Sequence, residues 1–256
     1  MNKTFVGWDV GAWHCSNKSK SKDALCVLQG SSLSSLVVSQ VPWRGNLKNL
    51  LLQKASIEDV FSACFKEALG RGVLAIDTPL GWPAAFRRLL DGEVPGDKII
   101  SEARSNPMLL RADERALCEE GFKPLSSLTD RIGSQSTKGL YLLGRYNFRT
   151  QSRGVWNNGR WKAIETYPSV VATSKTARFH FRRLKRQTLF LEKASKGNHV
   201  RADVSDALWC ALQAAMFEFR VLQVIRPTTR DPLVRAEGWI WRSGDVSSSR
   251  TRLART

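Results

Sequence analysis

Acidic residues are scarce in this chain of 256: 23 Asp and Glu stand against 40 Lys and Arg, which leaves a formal charge of +17. Such an excess holds a polyanion close before any specific contact forms, so nucleic acid is the expected partner. Solubility alone is the competing explanation, and charge by itself names no reaction. Cysteine is sparse too. Cys15, Cys26, Cys64, Cys118 and Cys210 form no Cys-x-x-Cys pair and have no histidine at zinc-finger spacing, so neither a disulfide scaffold nor a structural zinc is expected. No run reaches the roughly 18 apolar residues of a membrane span. Met1-Asn2-Lys3-Thr4 leads directly into a strand-like segment rather than a signal-peptide core. A cytoplasmic location with no membrane partner is the expectation.

What is present is apolar content of 42%, enough for a full-sized core. We read residues 1–256 as one domain. Its opening reads as three strands in hairpin order, Thr4–Val10, Ala24–Leu28 and Leu36–Val41, with Pro42 closing the unit. From Ser56, an N-cap, Ile57, Val60, Phe61, Cys64, Phe65 and Leu69 recur at helical spacing until Gly70 and Gly72 stop the pattern. Val73–Ile76 follows as a strand, and a strand after a helix in this order implies a parallel crossover beside the first strand. Residues 80–150 read as a helical insertion, with helices around Pro83–Leu90 and Leu109–Glu120. Asn158-Gly159 between Trp156 and Trp161 predicts a hairpin feeding Lys162–Tyr167 as the last sheet strand, ended by Pro168. Asp203 opens a final long helix, in which Val204, Leu208, Ala211, Leu212, Ala215 and Phe219 form one apolar stripe. The Ser- and Arg-rich tail, 247–256, is expected to be disordered.

An ionised carboxylate is poorly suited to an apolar strand, because it loses water there and needs a partner or a metal. Asp9 and Asp77 each end such a strand. As parallel neighbours they would meet at the carboxyl end of the sheet, where open α/β sheets place their ligands. Asp203 and Asp206, at i and i+3 of the last helix, would complete the set. Each alone has an ordinary role as a turn former, helix N-cap or first-turn charge; together they point to a shared metal site. Phosphodiester hydrolysis needs an activated water and a stabilised leaving oxygen, which hard cations held by carboxylates supply. The expected cofactor is therefore Mg2+ or Mn2+, with Asp9, Asp77, Asp203 and Asp206 as catalytic and metal-binding residues.

Three segments carry a resemblance: Gly7-Trp8-Asp9-Val10-Gly11, Ala75-Ile76-Asp77-Thr78-Pro79-Leu80-Gly81-Trp82-Pro83, and Asp203-Val204-Ser205-Asp206-Ala207-Leu208, with Glu237-Gly238-Trp239-Ile240 near the end. They are similar to the predicted RNase H-like nucleases grouped as domain of unknown function 429, over roughly residues 4–242. The paired aspartates before Ala-Leu also resemble the RuvC-type resolvases. The resemblance implies an α/β, RNase H-like mixed sheet: three antiparallel strands, then parallel strands with crossover helices, and a helical insertion. It implies metal-ligand roles for Asp9, Asp77, Asp203 and Asp206. Arg111-Ala112-Asp113 resembles the Arg/Asp motif of the family's insertion and Glu165-Thr166-Tyr167-Pro168 its fifth-strand motif, which makes Arg111, Asp113 and Glu165 accessory candidates.

His199, four residues before Asp203, is a further accessory candidate as a proton shuttle. The densest basic run, Arg178, Arg182, Arg183, Lys185 and Arg186, offers charge for a phosphate backbone. Trp156 and Trp161 lie among Arg160 and Lys162, a mixture suited to stacking bases, with core packing as the alternative. The expected activity is a metal-dependent nuclease. Two rival classes remain. One is a non-catalytic nucleic-acid-binding module, with a protein partner in a nucleoprotein assembly. The other is an actin-like or sugar-kinase-type phosphotransferase, for which the Gly-rich phosphate turns are missing.

Overall fold

The computed structural model describes residues 2–15, 22–94, 102–151, 154–194, 202–221, 224–225 and 232–243. In chain order the elements are β1 (Lys3–Asp9), β2 (Asp23–Gly30), β3 (Val37–Val38), β4 (Trp43–Gly45), α1 (Lys48–Gln53), α2 (Ile57–Phe65), β5 (Gly72–Asp77), α3 (Ala84–Leu90), α4 (Ala112–Glu119), α5 (Asp130–Arg145), β6 (Arg149–Thr150), β7 (Val155–Asn157), β8 (Trp161–Thr166), α6 (Pro168–Val171), α7 (Lys175–Ala194), α8 (Ala202–Glu218), β9 (Val224–Ile225), α9 (Pro232–Glu237) and β10 (Ile240–Ser243). Among the described residues, no helix is long and apolar enough to cross a membrane.

The strands form one mixed sheet in the order β3-β2-β1-β5-β8-β10-β9, with β4 on β2, β7 on β8 and β6 on β7. The opening strands β1, β2 and β3 are antiparallel, and β1, β5, β8 and β10 run parallel. This is the mixed α/β sheet that the order of elements predicts. Three details differ. Only Val37–Val38 of the expected third strand pairs, and Pro42, which has no N–H for a ladder, separates it from β4, where the chain returns to β2. Pro42 interrupts the antiparallel unit rather than closing it. Helix α2 starts at Ser56 with a full capping box to Asp59, but it ends at Lys66 in a left-handed turn, short of Leu69. Finally, β8 is not the last strand: β10, only four residues long, pairs beside it.

Strand alternation sorts the core into two layers. Phe5, Ala24, Cys26, Leu28, Val73 and Ala75 face α7 and α8, whereas Val6, Trp8, Leu25, Val27, Leu74 and Ile76 face α1, α2 and α5. Helix α8 is buried almost all round rather than along one stripe, because α6 and α7 cover the side turned away from the sheet. Its Val204, Leu208 and Leu212 are fully or nearly fully buried, each contributing about 1.5–3 kcal/mol. The approach to β1 is very close. A Cβ on Gly7 would lie 2.0 Å from the Ala207 carbonyl oxygen and 2.3 Å from the Ala211 nitrogen. At its far end, α8 is anchored by Glu218, which pairs with Lys3 (2.9 Å) and Lys162 (2.8 Å) at the start of β1 and β8. The helix therefore runs opposite to β1, and its Asp203–Asp206 turn lies over the Asp9 end of the sheet.

Candidate functional site

Asp9 and Asp77 are register partners on the parallel neighbours β1 and β5, where strands lie about 4.8 Å apart. Two residues beyond Gly7 and Ala75, both carboxylates point to the α8 side of the sheet. Neither makes a hydrogen bond or ion pair with a described residue. Burial raises the Asp9 carboxyl well above the ordinary range, and the charges of Asp77, Asp206, Asp203 and Asp23 add to the shift. Asp77 is raised likewise, by burial first and then by Asp206 and Glu165. Asp206 is pushed up to about 6, by burial and then by Asp203. The three groups thus share one negative field, and among the described residues no cation pairs with any of them.

Asp203 is different. It accepts from Arg44 Nε at 2.5 Å, on a strand whose Arg44 pairs with Ala24, itself opposite Asp9. Among the described residues, no three His, Cys, Asp or Glu side chains converge tightly enough to hold a metal ion. The four aspartates expected as one ligand set are drawn to one end of the fold, but they form a partnerless pair flanked by Asp206, with Asp203 tied to arginine. Their donor chemistry, oxygen alone, fits a hard divalent cation.

Helix α5 braces the turns that follow both strand-end aspartates. Gln135 Nε2 and Lys138 Nζ donate to the carbonyls of Val10 and Gly11, the latter at 2.9 Å, and Ser136 Oγ donates to Pro79 O at 2.7 Å. Lys138 also pairs with Asp23, and both are fully buried. Asp23 uses its remaining capacity on Trp8 Nε1 (3.0 Å), Gly11 N (2.9 Å) and Leu47 N (2.8 Å). The Gly11 N–H is therefore taken by a side chain rather than offered to a phosphate. Asp23 and Lys138 were not among the sequence candidates. Asp23 carries a signal related to that of Asp9, a carboxylate bounding an apolar strand, here at its start; Lys138 lies in the polar stretch Gly133–Lys138, which has no apolar period to reveal a helix.

A cavity of about 230 Å³ opens beside the pair, floored by Asp9 and Asp77 and walled by Pro79, Pro124, Leu125 and Ile132. Thr78 lines it too, and its buried hydroxyl has no partner. Arg111 and Glu165 close the opposite side as a structural clasp. Arg111 donates to Glu114 Oε1 (2.8 Å), to Glu165 on both oxygens, and to the Glu237 carbonyl (3.0 Å). Burial works against the Arg111 charge, but Glu165, Asp113 and Glu114 outweigh it and keep the guanidinium ionised. Glu165 also holds Leu80 N (2.8 Å), and Asp113 accepts from Ile240 N (2.7 Å). These three accessory candidates join the insertion to β8 and β10.

The other candidates divide. Trp156 and Trp161, expected beside nucleic acid, are buried in the core, Trp161 edge-on to Phe61, so their faces are already covered. Arg160 and Lys162 lie at the far end of the parallel strands, lining a cleft with Lys3 and Arg71. Arg178, Arg182, Arg183, Lys185 and Arg186 all fall on α7, as the helical reading expects. Arg183 is partly engaged, donating to the Ser34 and Leu33 carbonyls at 2.7 and 3.1 Å. His199 and the tail 247–256 lie outside the described residues. In comparisons with known proteins, no family model, curated protein or solved structure matches this chain.

Proposed function

We propose that this chain is a metal-dependent nuclease of RNase H-like fold, with Asp9 and Asp77 at its centre. The observation that carries the reading is the partnerless Asp9–Asp77 pair, in register on adjacent parallel strands beside an open cavity. Keeping two half-buried carboxylates side by side, without a partner among the described residues, costs folding energy, and a site that binds a cation recovers it. The sheet order, antiparallel strands and then parallel ones, supports the fold that the sequence resemblance implies.

Asp9 and Asp77 would hold Mg2+ or Mn2+ as a pair, with Asp206, and Asp203 if Arg44 turns to a phosphate, joining only by moving closer than they stand. A divalent cation there would polarise a phosphoryl oxygen and lower the pKa of a water. The chain's own part is positional: α5 fixes the two turns, α8 sets Asp206 over them, and the apolar walls limit water. The net charge of +17 would draw the polyanion in.

Labelled single-stranded, duplex and hybrid nucleic acids, incubated with Mg2+ or Mn2+, test this. Cleavage that EDTA stops and Asp77→Asn lowers by at least a hundredfold is the expected outcome. Binding without cleavage on every substrate would leave the second reading, a nucleic-acid-binding module without chemistry. That reading is favoured by one observation, the absence of three converging acidic side chains among the described residues.

A further inference from the structure

Helix α7 carries a face whose one ring contact among the described residues is Phe179 edge-on to its chain neighbour His180. Phe179 and Phe190 are 71% and 72% exposed, although an exposed phenylalanine gains nothing from water. Arg182 and Arg186 lie between them, at i+3 and i+7 from Phe179, with Phe190 at i+11, so all four share one stripe about 16 Å long. Both arginines are exposed, and neither makes an ion pair or hydrogen bond with a described residue. From Lys175 to Leu191 there is no acidic residue at all. An ordinary solvated helix face places Glu or Asp one turn from its cations; this one repels itself and is complete only with an anionic partner.

The stripe also has a seat. Beside Phe190 a shallow depression of about 380 Å³ is lined by Val37, Val38, Arg186, Gln187, Phe190 and Leu191. Val37, on the edge strand β3, is 47% exposed. The depression pairs apolar walls with one cation, which suits a flat ring attached to a phosphate.

From these features we infer that single-stranded nucleic acid lies along α7, with bases on Phe179 and in the Val37–Phe190 depression and phosphates on Arg182 and Arg186. The inference rests on the nucleic-acid reading above and names the form of the substrate. A duplex keeps its bases stacked inside and would leave both rings without a partner, whereas every unpaired base offers a face to stack. A membrane surface is disfavoured because interfacial helices segregate their apolar residues from their cations, and here the two alternate along one line.

The path leads toward the acidic end. Arg183 holds the Leu33–Ser34 turn beyond Gly30, and Gly30 pairs with Lys3 at the start of β1. Gln187 accepts from Val38, whose partner Leu28 pairs with Phe5. Helix α7 therefore climbs in the direction in which β1 runs to Asp9, roughly two strand spacings, or about 10 Å, to the side.

The test is fluorescence anisotropy with a labelled oligothymidylate and a duplex of equal length, in EDTA, where no cleavage occurs. A failed nuclease reading would leave this measurement intact. Phe179→Ala/Phe190→Ala is expected to weaken single-strand binding at least tenfold and to leave duplex binding within twofold. Arg182→Gln/Arg186→Gln is expected to weaken both and to flatten the salt dependence. Circular dichroism melts check that the exposed substitutions leave the fold intact. Unchanged single-strand binding in the phenylalanine variant overturns the inference. So does wild-type protein that binds anionic vesicles but not the oligonucleotide, or that forms a dimer in sedimentation which the phenylalanine variant loses.

Discussion

Ionising Asp206 in the folded protein puts a charge in a part-buried place beside Asp203. With an ordinary pKa of 3.8 raised to about 6 by burial and Asp203, the side chain holds its proton more tightly when folded than when unfolded. Its contribution to stability is fully present below about pH 4 and is lost as the pH rises through 6. Asp206→Asn removes the titration. In metal-free buffer the variant is expected to exceed wild type at pH 7 by on the order of 1 kcal/mol, after allowing for solvent screening. The difference should vanish near pH 4. Urea unfolding from pH 4 to 8 reads this directly, and a difference independent of pH would mean that burial and Asp203 do not raise the Asp206 carboxyl. The strand-end and helix-start aspartates are legible in the sequence because a carboxylate on an apolar segment conflicts with its surroundings. Asp203's tie to Arg44 is not legible, since it depends on β4 rejoining β2 after Pro42.

Helix α5 shows what element-level pattern reading misses. Its N-terminal half, Asp130–Lys138, is nearly all polar, so no apolar period announces it, yet those polar groups brace both aspartate-bearing turns. Lys138→Met keeps the volume and leaves Asp23 buried without its cation. That change is expected to cost about 3–5 kcal/mol, read as a lower urea midpoint. Adding Asp23→Leu should recover part of the loss, because the pair is then replaced by apolar packing. A Lys138→Met variant as stable as wild type would show that the buried Lys138–Asp23 pair does not hold α5 in place. The amphipathic α2, in contrast, is fully legible from its capping box and spacing, and only its last turn, ended by left-handed Lys66, departs from the pattern. The tryptophans of the β7–β8 hairpin are legible as a turn but not as a face: local spacing does not say which side of a strand the core will cover.

For the whole molecule, charge is distributed unevenly about the sheet. The carboxyl end gathers Asp9, Asp77 and Asp206, while Lys3, Arg71, Arg160 and Lys162 line the opposite end and α7 carries a basic flank between them. A bound strand would touch cations over a long path and meet acid at one place. Binding to single-stranded nucleic acid in EDTA should therefore fall steeply with salt, as a straight line in log affinity against log concentration. Its slope is about −0.7 for each phosphate neutralised, and four or more contacts are expected. A slope near zero would reduce the +17 charge to a solubility device.

Arg111 also bears on how the chain comes together in time. Its guanidinium joins Glu114 three residues away, Glu165 in β8, and the carbonyl of Glu237, which is 126 residues distant. A chain made from its first residue onward must complete α4, β5 and β8 before residues 232–243 exist to close the clasp. Until then a buried cation lacks one acceptor, the amides of Ala84 and Ala112 lack the Glu237 carboxylate that receives them at 2.7 Å, and the β8 edge beyond β7 stands open. The wall of the acidic cavity formed by Arg111, Glu165 and Ile240 is thus the latest part to be finished, and a nascent chain would carry the aspartate pair before it carried a closed pocket around it.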